Sequence, residues 1–561
     1  MLLGIDVGGT FTDAVLISGT SILAQAKAAT THGDLIQGML TALDKVLNGV
    51  ECHNIKRVSL STTIVTNAVV EGKTDKVGLL LMAGPGMDIS PLVPETPYLL
   101  DGYVDHRGRE VVAPVKEQVE DACRRITHTD VFAVVGKFSV RNPIPEQAVA
   151  ARVRQCARPV FLTLGAEVSG ALNFWRRANS AYYNSAVWRH FGRFAESVRQ
   201  ALAVRGITAP VYVLKADGGT LPLEAARKYP VETVFTGPAA SVLGIMALDA
   251  PEGEAVSLDI GGTTTDIGLW RNGLPLFVQR GAMINGYPTA VRSFWLQSVG
   301  IGGDSAVRRQ TRGELTVGPD RLGPPMALGG QVPTVSDAMI VAGFASFGDR
   351  AKARAAMEVL AREEEEVGLV AREVLDVAAE KIAAAIGNMI AAQAAEPVER
   401  VEDIVFSKPI SPGRVVGVGG AAEGLSPLVA EKLGIAASVP KGAMVANAVG
   451  AAVAQPTLMV TLRADTDKRY FTVAELGIHA PLEEKRYSLA EAESAAKKYL
   501  TERATKEGMS VGQAEMVYKE EFNLVRGFRT AGKIITCQMQ IKPGVLTGVT
   551  AEGGETCRQT R

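Results

Sequence analysis

The chain has 561 residues, 47% of them hydrophobic, and its 59 basic and 60 acidic side chains give a formal net charge of −1. This length predicts about two or three domains with large cores. The balanced charge argues against nucleic acid as a partner, because nucleic-acid-binding proteins usually present a basic face. No apolar run approaches the ~18 residues that a membrane-spanning helix needs, so no membrane association is expected.

The cysteines are few and scattered. None forms a C-x-x-C pair and their number is odd, which is typical of reduced thiols rather than of a disulfide framework. The chain also begins directly with an apolar strand instead of a charged and then apolar leader. These features predict a cytoplasmic protein with reduced cysteines. The five are Cys52, Cys123, Cys156, Cys537 and Cys557.

The first predicted element is a β-hairpin over residues 2–16, in which an apolar run reaches Asp6, breaks at a glycine pair and resumes. Strands and helices then alternate, as in α/β layers. Ser61, Thr62 and Thr63 stand at a helix start, where hydroxyls either cap the helix or cradle an oxyanion. Further strands are predicted over residues 22–28, 76–82, 131–136 and 159–164, and helices over about 33–47, 115–127 and 145–156.

The middle of the chain continues this alternation. Residues 173–205 predict one long helix or a broken pair of helices, and residues 211–215 predict a strand that ends in a glycine-rich turn. Thr236-Gly-Pro-Ala-Ala-Ser241 opens a helix of small residues that runs to Leu248. This helix start is either an anion-binding N-terminus or a simple strand-to-helix turn.

Residues 257–269 repeat the frame of the first hairpin. Glycines let backbone N–H groups approach phosphate oxygens, and threonine hydroxyls add donors. An aspartate at the strand end cannot ligate phosphate directly, but it can hold a hydrated Mg²⁺ that bridges phosphates. Two ordinary hairpin turns are the alternative, which the register of the repeat disfavours. The matched positions are Asp6 and Asp259, Gly8-Gly9 and Gly261-Gly262, Thr10 and Thr263, Thr12 and Thr265, and Asp13 and Asp266.

Three features follow the second hairpin. A glycine turn places a carboxylate at Asp304, and Asp337 belongs to a capping sequence before a helix predicted over residues 338–345. Residues 351–393 predict a helix that is broken near Gly368. The strand that starts at residue 414 runs into Gly419, Gly420 and Ala421, a surface on which adenine or its ribose could lie. Residues 442–453 predict a small-residue helix able to pack closely as a hinge.

After residue 456 the composition becomes charged and β-branched. Residues 487–507 predict an amphipathic helix, and residues 515–525 and 533–542 alternate like antiparallel strands. We therefore expect a small appended α+β domain over residues 457–545. The tail from Gly544, rich in glycine and threonine, is expected to be mobile.

In this order the motifs resemble the actin/sugar-kinase/Hsp70 (ASKHA) superfamily and, more narrowly, the ATP-dependent A-type subunits of the hydantoinase/oxoprolinase family. The resemblance implies an α/β fold with two duplicated ribonuclease-H-like lobes, at residues 1–170 and 171–456, followed by the appended domain and a tail at 546–561. The motifs that carry it lie at residues 4–13, 61–67, 215–220, 230–240, 259–266, 300–305 and 333–337.

The resemblance also implies roles for individual residues. Asp6, Gly8, Gly9, Thr10 and Thr12 would form a first phosphate loop, and Asp259, Gly261, Gly262, Thr263 and Thr264 a second. Gly419, Gly420 and Ala421 would lie under the adenosine, and Asp6 and Asp259 near Mg²⁺. Asp304 and Asp337 join Asp6 and Asp259 as candidate catalytic carboxylates, and Thr62, Thr63 and Asn67 are candidate substrate contacts.

The function that the resemblance implies is the ATP-dependent opening of a cyclic amide or imide such as a hydantoin or 5-oxoproline, with ATP and Mg²⁺ as cofactors. A B-type partner subunit or a homo-oligomer is the implied assembly, and some relatives serve carboxylases. The sequence departs from the family pattern at two places, which keeps an alternative function open. Leu60 stands where the family commonly has a histidine, and residues 419–425 lack a second histidine that the pattern would place there. The alternative is an ATPase of this fold that activates or remodels a partner protein, such as a corrinoid or radical enzyme, without hydrolysing a lactam.

Overall fold

The computed structural model describes residues 1–9, 11–30, 35–86, 88–311, 313–362, 366–396, 409–483 and 486–550. Its architecture is mixed α/β, built on two six-stranded sheets of matching topology, a four-stranded parallel sheet and a five-stranded antiparallel sheet. In the described part of the chain, no helix is long and apolar enough to cross a lipid bilayer.

The first sheet contains the N-terminal hairpin. Its apolar strands are buried almost throughout, because helices cover the sheet. Two of its strands come from beyond residue 171, so a lobe boundary at residue 170 does not coincide with the edge of this sheet. In sheet order the strands are Thr220–Pro222, Val211–Leu214, Arg57–Thr62, Leu2–Val7, Phe11–Ser18 and Ser21–Ala29.

The sheet of the second hairpin repeats this arrangement. In both sheets an antiparallel hairpin is extended on one side by parallel strands that follow helical connections. The duplication suggested by the sequence thus extends from the turns to whole sheets. The strands are Leu274–Pro275, Thr265–Arg271, Ala255–Ile260, Arg414–Val418 and Ala436–Ser438, with Leu296–Val299 also paired to Thr265–Arg271.

The four-stranded sheet is entirely parallel, and its strands are joined by helices as parallel connections require. Its strands, in sheet order, are Phe161–Leu164, Val131–Gly136, Gly78–Met82 and Tyr98–Leu99. Short antiparallel ribbons pair Tyr103–Val104 with Glu110–Val112, Met283–Ile284 with Tyr287–Pro288, and Val307–Arg309 with Leu315–Val317.

The helices agree with most of the expected positions. Phe174–Val204 forms one unbroken helix rather than a pair, and of the two helices found after residue 350 the first ends at Leu360 and the second begins at Val367, just before Gly368. The α-helices are Leu35–Val46, Ile64–Val70, Lys116–Arg125, Ile144–Cys156, Gly165–Val168, Phe174–Val204, Leu223–Ala226, Thr236–Leu248, Val335–Ala342, Arg350–Leu360, Val367–Ala394, Ala422–Leu433, Ala446–Val453 and Leu489–Lys506.

Two helices of small residues pack between the sheets, Thr236–Leu248 and Ala446–Val453, the latter called the hinge helix below. A Cβ on Gly450 would lie 2.0 Å from the carbonyl oxygen of Ala240, and a Cβ on Gly4 would lie 2.1 Å from that of Ala448. Glycine is therefore required where these backbones meet. This contact is the close packing that the small residues predicted.

The C-terminal sheet follows the hinge helix. Its five antiparallel strands are Ile478–Pro481, Tyr470–Val473, Met459–Asp465, Arg529–Ile541 and Ala514–Arg526, and helix Leu489–Lys506 packs on it. The tail expected to be mobile from Gly544 is held up to residue 550. The N–H groups of Leu546, Val549 and Thr550 donate to the carbonyls of Val453, Ala247 and Thr20. Residues 551–561 lie outside the described part of the chain.

The expectation of reduced cysteines is wrong for one pair. Cys123 and Cys156 form a disulfide between helices Lys116–Arg125 and Ile144–Cys156, with their Cα atoms 6.2 Å apart. The two helices pack side by side, so the fold brings together cysteines that are 33 residues apart in sequence. Cys52 and Cys537 are free thiols, and Cys557 lies outside the described residues.

Candidate active site

The two hairpins fold in the same way down to individual hydrogen bonds. The N–H of Gly8 donates to the carbonyl of Phe11 over 3.1 Å, and the N–H of Gly261 donates to the carbonyl of Thr264 over 3.0 Å. These bonds close the two turns. The next glycines, Gly9 and Gly262, also occupy equivalent positions, and their N–H groups have no acceptor within the described residues. They are therefore the backbone donors that remain available to a ligand.

Asp6 and Asp259 lie near the ends of the first strands of the two hairpins, and both are next to the hinge helix. Nδ2 of Asn447 donates to Oδ2 of Asp259 over 3.2 Å, and Ser241 donates to the same carboxylate over 2.6 Å. Asn447 and Ser61 also lie close to Asp6, where their side chains counteract part of the rise that burial causes in the pKa of that carboxyl. One hinge-helix amide thus binds the carboxylate of the second hairpin and lies beside that of the first.

Burial makes ionisation of these carboxylates costly. It raises the pKa of Asp6 to about 7, with smaller contributions from the negative charges of Asp13 and Asp259. The pKa of Asp259 is also raised by burial, although Ser241 and Asn447 counteract part of the effect. A divalent cation would favour the ionised forms, because an opposite charge lowers carboxylate pKa values.

The second aspartates of the two hairpins have different partners. Lys27 faces Asp13 across neighbouring strands, with 2.7 Å between Nζ and the carboxylate, and also lies over the ring of Phe11. The equivalent place opposite Asp266 is taken by Ser298, whose hydroxyl hydrogen-bonds the carboxylate. Burial raises the pKa of Asp266 to about 7, with a contribution from the charge of Asp259, and Ser298 brings no positive charge that would offset this rise. The pair is asymmetric: one aspartate has a cation and the other does not.

Glycines line the space between the hairpins. A Cβ built on Gly9, Gly237 or Gly420 would meet no atom within 4 Å, so these residues face an opening. A Cβ on Gly262, by contrast, would lie 2.8 Å from Oδ2 of Asp304. Asp304 therefore packs against the turn of the second hairpin at Gly262.

Asp304 and Asp337, both predicted as catalytic, have different surroundings. The N–H of Asp304 donates to the carbonyl of Gly262 over 2.6 Å, and its carboxylate pairs with Arg321 over 2.9 Å. Asp337 is fully buried and accepts from the N–H groups of Met326, Ala327 and Thr334 and from the Thr334 hydroxyl. These bonds make Asp337 a helix cap and loop anchor, and its role as a catalytic carboxylate stays a prediction.

The threonines of the two turns divide into exposed and buried residues. Thr263 is exposed and Thr264 half-buried, so their hydroxyls are accessible. Thr12 is fully buried and contacts Thr30, which donates to the carbonyl of Gly8 over 2.9 Å. Thr12 therefore supports the turn from within the protein instead of facing a phosphate. Thr10 lies outside the described residues.

The predicted adenosine turn adjoins the second hairpin. Gly419 has φ +94°, and its missing side chain leaves room for Oδ1 of Asp259, which a Cβ would approach to 2.6 Å. The N–H of Ala421 donates to the carbonyl of Ile260 over 3.0 Å, and Ala421 is buried. Gly419 and Gly420 thus form the accessible surface of this turn, while Ala421 fixes it to the hairpin.

The predicted substrate residues lie where the two lobes touch. Thr62 is buried, and both its N–H and its carbonyl bond the hydroxyl of Thr236. Thr63 and Asn67 are half-buried and hydrogen-bonded to each other over 3.3 Å. Phe235, just before Thr236, has φ +54°, a strained conformation for a bulky residue. Thr62 therefore links the lobes, and the roles of Thr63 and Asn67 as substrate contacts stay predictions.

The carboxylates fit a magnesium ion shared with a phosphate ligand. Oδ1 of Asp6 is buried and has no hydrogen-bond partner, as expected for an oxygen that serves an ion. Within the described ranges, no group of three or more His, Cys, Asp or Glu side chains could hold a metal alone. Mg²⁺ usually takes one or two carboxylates and completes its shell with water and phosphate oxygens. Asp6 and Asp259 match this pattern.

Sequence reasoning missed several residues of the site. Asn447 had a usable signal, because it is the one polar residue in the hinge helix Ala446–Val453. Lys27, Ser241 and Arg321 had none, since ordinary strands, helices and loops also carry such residues. Their importance depends on what the fold places opposite them.

Comparison with known proteins agrees with this geometry. The family model for hydantoinase/oxoprolinase matches residues 177–460, and the model for the hydantoinase/oxoprolinase N-terminal region matches residues 2–157. Caprolactamase subunit alpha from Pseudomonas jessenii is 28% identical over 382 residues, which is 62% of this chain and 55% of the relative. Acetophenone carboxylase gamma subunit from Aromatoleum aromaticum is 27% identical over 61% of this chain and 53% of its own length. The chain thus spans about half the length of the curated relatives it matches.

Solved structures support the same fold. The crystal structure of the ATP-dependent caprolactamase from Pseudomonas jessenii matches with a TM-score of 0.70 at 21% identity, covering 100% of this chain and 90% of that one. The nucleotide-free structure of acetone carboxylase matches with a TM-score of 0.67 at 18% identity, covering 96% and 87%. The two-lobed α/β fold expected from the motifs is therefore confirmed.

Proposed function

The chain belongs to the hydantoinase/oxoprolinase family, and we propose that it is an ATP-dependent amidohydrolase that opens a cyclic amide or imide of the hydantoin or 5-oxoproline type. The observation that carries the proposal is the pair of hairpins that close with equivalent hydrogen bonds and place Asp6 and Asp259 close enough for their charges to interact. The similarity to a caprolactamase subunit supports a cyclic amide as substrate.

ATP would lie between the hairpins. The free N–H groups of Gly9 and Gly262 would bind phosphate oxygens from opposite sides, and Gly419 and Gly420 would lie beneath the adenosine. Asp6 and Asp259 would hold Mg²⁺, which neutralises phosphate charge when bound. Lys27 is positioned beside this space, and its charge counteracts part of the rise that burial causes in the pKa of Asp259.

The chemical problem is that an amide carbonyl is a poor electrophile. Transfer of the γ-phosphoryl group of ATP to the carbonyl oxygen would release ADP and leave a phosphorylated imidate carbon that water can attack. Addition of that water and departure of the protonated ring nitrogen would break the C–N bond and leave an acyl phosphate, which a second water would hydrolyse to a carboxylate and phosphate. The chain's residues contribute by positioning the reactants and neutralising charge, which are the main sources of catalysis in phosphoryl transfer. Asp304, Thr63 and Asn67 are the side chains that we assign to the substrate side of this space.

An ATPase assay tests the proposal. ADP release and ring-opened product would be measured with 5-oxoproline, with hydantoin, with a larger lactam and without substrate. We expect one of the cyclic amides to stimulate ADP release and to be opened in proportion to it. ATP hydrolysis that proceeds at the same rate with and without each cyclic amide would count against coupling of ATP hydrolysis to ring opening. It would favour the partner-activating ATPase. Asp259→Asn is the matched inactive control.

Nucleotide binding needs a separate test, because it can survive loss of the hydrolase reaction. Gly262→Val should abolish ADP binding measured by calorimetry, since its Cβ would be forced against Asp304. Gly192→Ala is a suitable control, because a Cβ there meets no atom within 4 Å. Unchanged ADP affinity in Gly262→Val would remove the nucleotide site from the space between the hairpins.

Carboxylation is the second candidate function. It is favoured by the similarity to acetophenone carboxylase gamma subunit and to acetone carboxylase beta subunit from Xanthobacter autotrophicus. The discriminating measurement is incorporation of labelled bicarbonate into a ketone in the presence of ATP. Incorporation without lactam opening would replace the amidohydrolase proposal.

We also propose that the protein works in the cytoplasm with a B-type partner subunit, because the curated relatives named here are subunits. Homo-oligomerisation is the alternative assembly. Activity of the chain alone would be compared with its activity after addition of a B-type subunit. Full activity without the partner, at the mass of a single chain or of a homo-oligomer, would contradict this part of the proposal.

A further inference from the structure

The disulfide between Cys123 and Cys156 lies at the protein surface and shares no residue with the site between the hairpins. Cys123 is in the last turn of helix Lys116–Arg125, and Cys156 is the last residue of helix Ile144–Cys156. Cys156 is exposed and Cys123 is half-buried. Cys156 is thus the more accessible residue of the pair.

A surface cavity of about 440 Å³ opens beside this disulfide. Besides the two cysteines, it is lined by Glu120, Arg124, Thr127, Arg152 and Gln155. Arg152 pairs with Glu120 and donates to the side-chain oxygen of Gln155 over 2.8 Å. The lining contains two arginines and one carboxylate; Arg124 also lies 3.5 Å from Asp121 but keeps 69% of its side chain exposed, so the cavity is polar and holds a guanidinium group open to anions in solution.

We propose that Cys123 and Cys156 are a thiol–disulfide exchange site and that Cys156 forms a mixed disulfide with small thiols that carry carboxylates. Exposed disulfides are the ones that exchange readily with solution thiols. The arginines of the cavity would bind the carboxylates of the incoming thiol, as guanidinium groups do. This inference does not depend on the proposed amidohydrolase function.

The exchange balances without any other reactant. The incoming thiolate forms a bond to Sγ of Cys156, the protein S–S bond breaks, and Cys123 leaves as a thiolate that takes a proton from water. A second thiolate then attacks the sulfur of the bound small thiol and displaces Cys156 as a thiolate. Overall the protein disulfide is reduced by two electrons, and two small thiols are oxidised to one small disulfide. The reverse sequence oxidises the protein.

The other cysteines provide an internal comparison. Cys537 is buried, and burial raises the pKa of its thiol to about 11, which disfavours the reactive thiolate. Cys52 is half-buried and has no cysteine partner. Of the cysteines that the structure describes, Cys156 is therefore expected to react first.

Mass spectrometry of the folded, full-length protein tests the site. The protein would be treated with reduced glutathione, quenched with acid, alkylated and mapped by peptide. We expect glutathione on Cys156 and an alkylated thiol on Cys123. In Cys123→Ser, oxidised glutathione should leave a stable mixed disulfide on Cys156, while Cys156→Ser should be modified much more slowly at Cys123. A disulfide that resists reduced glutathione in the folded protein would overturn the proposal, as would modification of Cys52 before Cys156 when Cys123→Ser is treated with oxidised glutathione.

The charge preference has its own test. Arg152→Gln should slow the reaction with anionic glutathione about threefold, as expected for one solvent-screened charge, but should not slow the reaction with cationic cysteamine. Arg154→Gln is the matched control, because Arg154 is exposed on the same helix but does not line the cavity. Equal slowing with both thiols would show that Arg152 does not select for negative charge. This comparison uses the native cysteines, so it remains valid if a cysteine variant fails to fold.

Discussion

Lys27 lies directly opposite Asp13 on the neighbouring strand, with its ammonium 2.7 Å from the carboxylate. We expect Lys27→Met to lower the rate of ATP hydrolysis about 10²–10³-fold, because a preorganised charge beside the phosphates is lost. Lys73→Met, which removes an exposed pair with Glu71, should have no effect.

The variant also leaves Asp13 without its cation, so instability must be separated from loss of catalysis. The double variant Lys27→Met/Asp13→Asn removes the unpaired charge and should recover much of the stability that Lys27→Met loses. It should not recover ATP hydrolysis. Recovery of both properties would assign Lys27 a purely structural role.

Two carboxylates of the site should make stability depend on pH. The pKa values of Asp6 and Asp266 are raised from 3.8 to about 7, so between these values the folded protein binds more protons than the unfolded chain. The free energy of unfolding should therefore fall as the pH rises through this window and level off above it. In Asp266→Asn the fall should be smaller, by an amount of the order of a few kcal/mol. Denaturant titrations of the nucleotide-free protein measure this difference.

The same carboxylates should couple magnesium binding to proton release. A cation beside Asp6 favours its ionised form, so the affinity for Mg·ADP should increase as the pH rises through about 7. Calorimetry in buffers with different ionisation enthalpies detects the released proton. In Asp6→Asn the proton release should be smaller; an unchanged release would show that Asp6 is not the group that titrates.

The contact between the small-residue helices should tolerate no added methyl group. In Gly450→Ala the new Cβ would lie 2.0 Å from the carbonyl oxygen of Ala240, a backbone atom that cannot rotate away. We expect Gly450→Ala to lower the free energy of unfolding by about 1–3 kcal/mol, measured by denaturant unfolding. Gly192→Ala, inside an open helix face, should instead stabilise by about 0.5–1 kcal/mol. Equal effects of the two changes would contradict the close packing.

Asp304 and Asp337 should separate into a functional and a structural carboxylate. Asp337→Asn replaces an acceptor with a donor that faces bound N–H groups, at a cost of about 1–3 kcal/mol for each mismatch. The fraction that folds should hydrolyse ATP at the normal rate. Asp304→Asn, beside Gly262 and Arg321, should lower that rate with a smaller loss of stability. A normal rate in Asp304→Asn would remove it from the site.

The sequence by itself determined the duplicated frame of the site. A turn that approaches an anion needs glycines, and a bound metal needs an acidic residue at the end of the preceding strand. The spacing of these residue types alone therefore predicted Asp6, Asp259 and the two glycine pairs. The same holds for the long helix Phe174–Val204 and the small-residue hinge helix, because helical periodicity and side-chain size are local properties. The family resemblance followed from the order of these motifs.

Only the tertiary structure decided which residues meet. Asn447 donates to Asp259, and Lys27 faces Asp13 while Ser298 faces Asp266, through contacts between segments distant in the chain. Asp337 is a cap because nearby loops supply its donors, and Cys123 reaches Cys156 because two helices pack side by side. Strand register and helix packing set these partners, since a side chain's burial and charge environment depend on what the fold brings against it and not on its neighbours in sequence.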